Sequence, residues 1–417
     1  MDRDSWNEIL QIMLRKPIRT VLASIGVGWG VMMLILMVGA GNGLENGTKK
    51  ETAGVAENSM FIWTQRTSKP YKGFQRGRRV RLDNSDLEYL KKNVPEIAAI
   101  SPRNQLGGYR GSNNVTYKNK TGAFNLYGDA PDLIKIKPVT LPQGRYLNEG
   151  DVIDKRKIVV IGEEVRKILF EDEDPLGKSI QANGVSFTVV GVYKSMRNGE
   201  DGLEENQSII VPYTTFQKAF NWGEKIGWFS ILCEKGEAVD QLEAKVKTIL
   251  MGRKGIHPDD KRAFGSWNMA EEIGRFNQIF DAIDLIGYFV GALVLLAGII
   301  GIINIMLVTV KERTKEFGIR RALGAAPGTI ISQVVKETLL LTFIASAVGM
   351  ILGVFLLRKI SELTDSEDMG VFHHPEVSLK LVVVAMVFTV FFGALAGLIP
   401  AIRAVSIKPV DAIRTEI

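Results

Sequence analysis

One cysteine, Cys233, stands among 417 residues, so an intrachain disulfide and a cysteine metal cluster are both excluded. Any part of the chain outside the cytoplasm must therefore be stable on its hydrophobic core alone. Histidine is scarce too. There are three, and the adjacent pair His373 and His374 argues for a polar loop rather than a zinc site. The chain has no GxSxG, no HExxH and no paired acids in a catalytic setting. Gly177, Lys178 and Ser179 match the end of a Walker A motif, but Asp172 stands where its first glycine is needed. Without that glycine the backbone amides cannot wrap a phosphate. The segment also lies after a helical pattern and before a strand, the reverse of a phosphate loop. No ATP site and no enzyme activity are supported on this chain. The net charge of +6 and pI near 9.1 suggest nucleic acid at first sight, but the basic excess sits beside apolar runs. There it serves topology, and no nucleic-acid partner is expected. Trp63, Trp222, Trp228 and Trp267 are unassigned aromatics.

Long apolar runs are what the chain has in quantity. A bilayer core takes roughly 20 mostly apolar helical residues. Four stretches qualify, at residues 21–41, 285–310, 339–357 and 381–401, and none has a charged residue in its central part. The first is too long for a typical cleaved signal segment and is read as a retained span. Each span carries glycines four apart: Gly26 and Gly30, Gly287 and Gly291, Gly349 and Gly353, Gly393 and Gly397. Such pairs let helix backbones approach where lipid offers no hydrophobic drive for association.

Between the second and third spans lies the charged stretch 311–326, KERTKEFGIRRALGAA. Lys311, Arg313, Lys315, Arg320 and Arg321 outnumber Glu312 and Glu316, which places the loop in the cytoplasm by the positive-inside rule. Arg15, Lys16 and Arg19 before the first span, and Arg403, Lys408 and Arg414 after the fourth, agree with it. The loop 358–380 is acidic instead, with Glu362, Asp365, Glu367, Asp368 and Glu376. Both termini then face inward, and residues 42–284 face outward. A loop on that side is either a place where an external motor pushes or an ordinary solvated connection. Charge alone favours the second.

In chain order, residues 1–20 hold a cytoplasmic amphipathic helix, with Trp6, Ile9, Leu10, Met13 and Leu14 on one face. It lies in the membrane interface or packs on a partner. Residues 21–56 form the first span and a stalk, 57–269 an outer domain, and 270–310 a second stalk and span. Residues 311–336 form the loop, 337–401 the third and fourth spans with the acidic outer loop, and 402–417 a tail. In the outer domain, 157–162, 185–192, 207–211 and 229–233 read as strands. Residues 86–93, 163–170, 214–220 and 238–250 read as helices, the first capped by Ser85 or Asp83. Residues 82–101 and the strands within 109–127 look like a separate insert. The fold class is an α-helical membrane protein with four transmembrane helices plus a large α+β extracytoplasmic domain.

Three stretches resemble a known family. ERTKEFGIRRALGA (312–325), VVIGEEVRKILFEDEDPLGKSI…FTVVGVY (159–193) and IPAIRAVSIKPVDAIR (399–414) are similar to the FtsX-like permeases of ABC systems, in the macrolide-exporter (MacB) branch. The resemblance covers nearly the whole chain. It implies a MacB-like periplasmic core for the outer domain, a homodimer (or a heterodimer with a paralogous permease), and location in the bacterial cytoplasmic (inner) membrane. MacB carries its ATPase on the same chain. Here the reading is a separate ABC ATPase subunit, with ATP and magnesium bound there and no cofactor on this chain. The resemblance also points to a membrane-fusion adaptor and an outer-membrane channel as further partners. For ATPase coupling it implies Glu312, Arg313, Glu316, Phe317, Arg320, Arg321, Leu323 and Gly324. In that arrangement the charges set orientation, while Phe317 and Leu323 offer an apolar anchor to a groove. Export of drugs, peptides or lipid-type substrates is the leading expectation. Lipoprotein release and an FtsX-like signalling scaffold controlling an outer hydrolase are the alternatives. A receptor with no ATPase partner is the remaining one.

Overall fold

The computed structural model describes residues 17–52, 54–107, 112–197, 199–367 and 372–406. The helix expected within residues 1–16, Tyr109, and the tail from residue 407 lie outside the described residues. The chain divides into two compact units, one built from residues up to Thr48 and from Ile279 onward, the other from Lys49–Gln278. In order, α1 (Pro17–Thr52) precedes β1 (Ser59–Thr64), β2 (Leu82–Asp83), α2 (Asn84–Asn93), β3 (Ile97–Gln105), β4 (Asn113–Tyr117) and β5 (Lys120–Asp129). Then come α3 (Leu133–Ile136), β6 (Val139–Gly144), α4 (Glu149–Ile153), β7 (Ile158–Gly162), α5 (Glu163–Leu169), β8 (Ser179–Ala182) and β9 (Val185–Ser195). They are followed by α6 (Gly199–Asn206), β10 (Ser208–Pro212), α7 (Tyr213–Ala219), β11 (Lys225–Ile226), β12 (Trp228–Cys233), α8 (Val239–Lys254) and β13 (Phe264–Asn268). The last four helices are α9 (Met269–Glu312), α10 (Thr314–Ala322), α11 (Pro327–Glu367) and α12 (Leu379–Ser406).

Among the described residues, four helices, α1, α9, α11 and α12, are long and apolar enough to cross a membrane, as the hydropathy pattern requires. Each outruns its apolar stretch. The 44 residues of α9 take in both the approach segment 270–284 and the second span as one helix. The glycines explain how these helices meet. A Cβ built on Gly26 would lie 3.1 Å from the Cα of Gly298, and one on Gly349 would lie 2.2 Å from the carbonyl oxygen of Gly28. Gly30 faces Leu295, Gly291 faces Leu34 and Gly353 faces Ile35, while Gly393 and Gly397 face Thr342 and Thr338. Gly287 has only Met37 and Val38 near it, at 3.7 Å and beyond. Gly28 and Gly298, outside the four expected pairs, are the partners in the closest backbone approaches. Thr338, Thr342, Ser346 and Thr389 are buried, and each returns its hydroxyl to a carbonyl four residues back.

The Lys49–Gln278 unit contains two large cores and two smaller ones among its described residues. One large core gathers Met60, Ile62, Leu82, Leu90, Phe229, Val246, Leu250 and Phe264. In α8 the buried Leu242, Val246 and Leu250 recur every four residues, and Gly255 ends the helix in the left-handed conformation (φ +56°). The other large core gathers Val115, Phe124, Leu126, Val159, Phe187, Ile209 and Phe216. Around it β10, β7, β9, β8, β4 and β5 form a closed ring, completed by the parallel pairing of β10 with β5. Closure leaves that ring without an open edge. The β7–β9 pair is also parallel, with α5 in the connection. β3 links the two large cores, pairing with β12 on one side and β5 on the other. The separate insert expected over 82–101 and 109–127 is therefore corrected. Its first part packs into the core of Phe229 and Val246, and the described residues of its second part, from Asn113, are built into the ring around Phe187. The α2 cap is Asp83, in a reciprocal capping box with Asp86, and Ser85 lies two residues inside, donating its hydroxyl to Asp83.

Where β3 meets β5, two charges are buried. Arg103 Nε lies 3.2 Å from Asp129 Oδ1, and Asp129 is fully enclosed. The Tyr127 ring covers the guanidinium at 3.9 Å and Trp228 stands 5.9 Å away. Burial pushes the Asp129 carboxyl up to about 6, against the opposing pull of Arg103 and Lys137.

Two outcomes follow. An Asp held higher in the folded than in the unfolded chain favours folding below about pH 4, and that contribution is lost as pH rises through about 6. Thermal unfolding of the detergent-solubilised chain, read by tryptophan fluorescence, should show wild type losing stability relative to Asp129→Asn across that window. A pH-independent difference would contradict it. In the membrane unit, Gly349→Val should lower the thermal midpoint and broaden the size-exclusion peak. Gly301→Val, whose Cβ meets nothing within 4 Å, should leave both unchanged.

Candidate functional site

The loop between the second and third spans is mostly helix. α9 ends at Glu312, Arg313 leaves the helical path (φ −94°, ψ 13°), and α10 runs for nine residues. Thr314 Oγ1 donates back to the Lys311 carbonyl at 2.7 Å. Gly324 then takes φ +94°, a conformation that a side chain resists, and Pro327 opens α11 with its fixed φ. The helical path is thus broken twice, at Arg313 and at Gly324.

Arg313 is the hub. Its Nε and one terminal nitrogen donate to the two oxygens of Glu316 at 2.9 and 3.1 Å. The other terminal nitrogen donates to Glu337 Oε2 on α11 at 3.0 Å. Its guanidinium stands 4.9 Å from the Phe317 ring centroid. The Glu337 side chain is 5% exposed and that of Arg313 13%, so this pair is nearly dry. Arg320 bonds Glu316 Oε1 at 2.9 Å and Gln333 Oε1 on α11 at 2.8 Å. Arg321 donates to the Val405 carbonyl on α12 at 2.6 Å. The Arg313 bond, more than the Arg320 charge, holds the Glu316 carboxyl below the usual carboxylate range. Phe317, 1% exposed, packs into the cluster of Met306, Val310, Ile330, Val334, Ala401 and Ala404. α10 and its capping Arg313 are thus fastened to α11 by one ion pair and a hydrogen bond, to α12 by a hydrogen bond, and to the apolar cluster by one aromatic ring.

The expected coupling residues divide into two sets. Arg313, Glu316 and Phe317 turn inward, and Arg320 and Arg321 are half-buried with partners on α11 and α12. Glu312, Leu323 and Gly324 face outward, with Leu323 83% exposed. The reading of Phe317 as an anchor offered to a partner is corrected. The ring fills the core of its own unit and is not available. Sequence reasoning missed Lys315 and Ile319, which with Leu323 are spaced four apart on the outward face of α10. It also missed Glu337, whose signal was a lone acid two positions before an apolar run. Among the described residues, no group of three or more His, Cys, Asp or Glu is placed to hold a metal.

The chain matches the MacB-like periplasmic core domain over residues 20–249 and the FtsX-like permease C-terminal domain over residues 288–409. It is 29% identical over 399 residues to a macrolide export ATP-binding/permease protein MacB of Wolinella succinogenes, covering 95% of this chain and 58% of the relative. The chain thus spans about three fifths of the MacB relatives it matches. It is 28% identical to the uncharacterized ABC transporter permease YvrN of Bacillus subtilis, covering 97% of this chain and 98% of the relative. Among solved structures, the periplasmic region of MacB from Actinobacillus actinomycetemcomitans is 25% identical with a TM-score of 0.43, covering 54% of this chain and 94% of that one. With its four apolar helices, its outer unit with two large cores and both families matched in order along the chain, the protein belongs to the MacB/FtsX-like family of ABC transporter permeases.

Proposed function

We propose that this chain is the permease subunit of an ABC exporter or mechanotransmission complex, moved by an ATPase partner that binds and hydrolyses ATP. The observation that carries the reading is α10, a short helix between two spans that is bonded to α11 through Arg313 and Glu337. A push on a flexible loop would be absorbed by the loop. A push on α10 meets a buried ion pair and a buried ring, so the load passes to the third span. The outward face of α10, with Lys315, Ile319 and Leu323, is the surface the partner contacts. Its mixture of one cation and two aliphatic side chains suits a groove with an acidic rim.

The lysine- and arginine-rich loop is the cytoplasmic one in this reading, and the membrane is the bacterial cytoplasmic membrane. Drugs, peptides and lipid-type molecules are the proposed substrate class, handled by a dimer of this permease. The uninterrupted α9 supplies a stiff element along which displacement travels.

Two predictions separate contact from transmission. Lys315→Glu combined with Leu323→Asp should reduce copurification of the ATPase at least about tenfold at unchanged membrane levels, since both side chains lie on the contact face. Retention of the partner would overturn that assignment. By contrast, Arg313→Glu or Glu337→Arg alone should leave the ATPase bound but uncouple its hydrolysis from transport. Each single change strands a buried charge, at a cost on the order of 3 kcal/mol. The double exchange should restore much of the coupling. Equal coupling in all four proteins would rule out a transmitting role for the pair.

A further inference from the structure

Residues 66–81 hold seven basic side chains (Arg66, Lys69, Lys72, Arg76, Arg78, Arg79, Arg81) and no acid. In a solvated loop such a run would be mobile and unremarked. Here it is built. Arg66 pairs with Arg79 and Tyr71 with Phe74 in antiparallel bridges. The tip turns through Lys72 (φ 46°) and Gly73 (φ 82°), the two positive values a tight hairpin turn needs. The Asp260 carboxylate, itself buried, accepts from the Ser68 amide at 2.7 Å, the Ser68 hydroxyl at 2.6 Å and the Lys69 amide at 3.1 Å. Arg78 donates to the carbonyls of Lys254 and Gly255, capping the negative end of α8, and lies over the Phe74 ring at 3.9 Å.

Arg78 is thus used by the fold; of the other six, Lys72 lies over the Tyr71 ring at 5.5 Å. Arg66, Lys69, Lys72, Arg76, Arg79 and Arg81 are exposed, and among the described residues none of them forms an ion pair with a carboxylate. Nearby cations of the same unit are treated differently. Arg253 and Lys254 bind Asp86, and Lys245 binds Glu96. Of the acids near the hairpin, Asp260 is occupied by Ser68 and Lys69, and the exposed Asp259 faces His257 at 4.0 Å. Holding six like charges together on a fixed frame is self-repulsive, and an anionic ligand relieves that repulsion. Four of the six are guanidinium groups, whose paired donors match phosphate oxygens. Phe74, 49% exposed at the tip, adds an apolar contact beside them.

We propose that this hairpin is a binding site for clustered phosphate groups, of the kind carried by anionic lipid headgroups or a soluble polyphosphate. The test uses the full chain in neutral phosphatidylcholine nanodiscs, mixed with vesicles that contain phosphatidylglycerol. Wild type should associate with these and not with neutral vesicles, and the association should weaken as salt screens it. Arg76→Gln with Arg79→Gln and Arg81→Gln should bind at least about tenfold more weakly. Lys91→Gln with Lys92→Gln and Lys155→Gln removes the same charge elsewhere and should bind as wild type. Inorganic polyphosphate separates the sources. If it binds but vesicles do not, the ligand is the soluble one; if vesicles bind, the headgroup is. Three results would overturn the proposal: unchanged binding by the hairpin variant, an equal loss in the control variant, or equal competition by a sulfated polymer of matched charge. Unchanged thermal midpoints in both variants establish that folding is not the cause.

Discussion

A guanidinium shared between two carboxylates, one on its own short helix and one on the next span, is what the membrane unit depends on at its charged end. Arg313 reaches Glu316 with two nitrogens and Glu337 with a third. In their nearly dry setting neither Glu337 nor Arg313 tolerates losing its partner, so the geometry is held in one arrangement rather than many. Phe317 adds an apolar fastening a residue away, and Arg320 and Arg321 tie the same helix to Gln333 and Val405. The outcome is a loop with the stiffness of a secondary-structure element. A solvated connection of equal charge would not have it.

The same chemistry recurs in the outer unit with another emphasis. At Arg103 and Asp129 a buried pair lies where β3 passes from one core to the other, and two aromatic rings shield it. At the hairpin of residues 66–81 the cations remain in water, because the nearby carboxylates are committed elsewhere. Which charges are paired and which are left exposed is thus a property of each site. The overall charge of +6 describes none of them.

Much of this was legible in the sequence. The spans were, because runs of about 20 apolar residues have few other uses. β7 with α5, β10 with α7, and β12 with α8 were legible because a β-branched run followed by a helical period is local information. β3 was not. Its residues IAAISPRNQ include a proline and three long polar side chains, and they are buried only because Asp129, Tyr127 and Trp228 arrive from other strands. The loop showed the same limit. Its charge pattern identified the stretch, yet it did not reveal that Phe317 points inward or that Glu337, 24 positions from Arg313, completes the pair. Pairings between distant residues are set by tertiary packing, and single-sequence patterns do not carry them.

The central claim is that α10 and the third span move as one body. Cys233 is the one cysteine and is buried, so a Cys233→Ser background accepts paired nitroxide labels cleanly. Labels at Leu323→Cys on the outward side of α10 and at Phe343→Cys on the exposed side of α11 report the distance between them by pulsed electron resonance. The account predicts the same distance distribution in the nucleotide-free and ATP-bound complex, although other distances in the complex change. A shift of several ångströms on ATP binding would show that the loop bends under load and would contradict it.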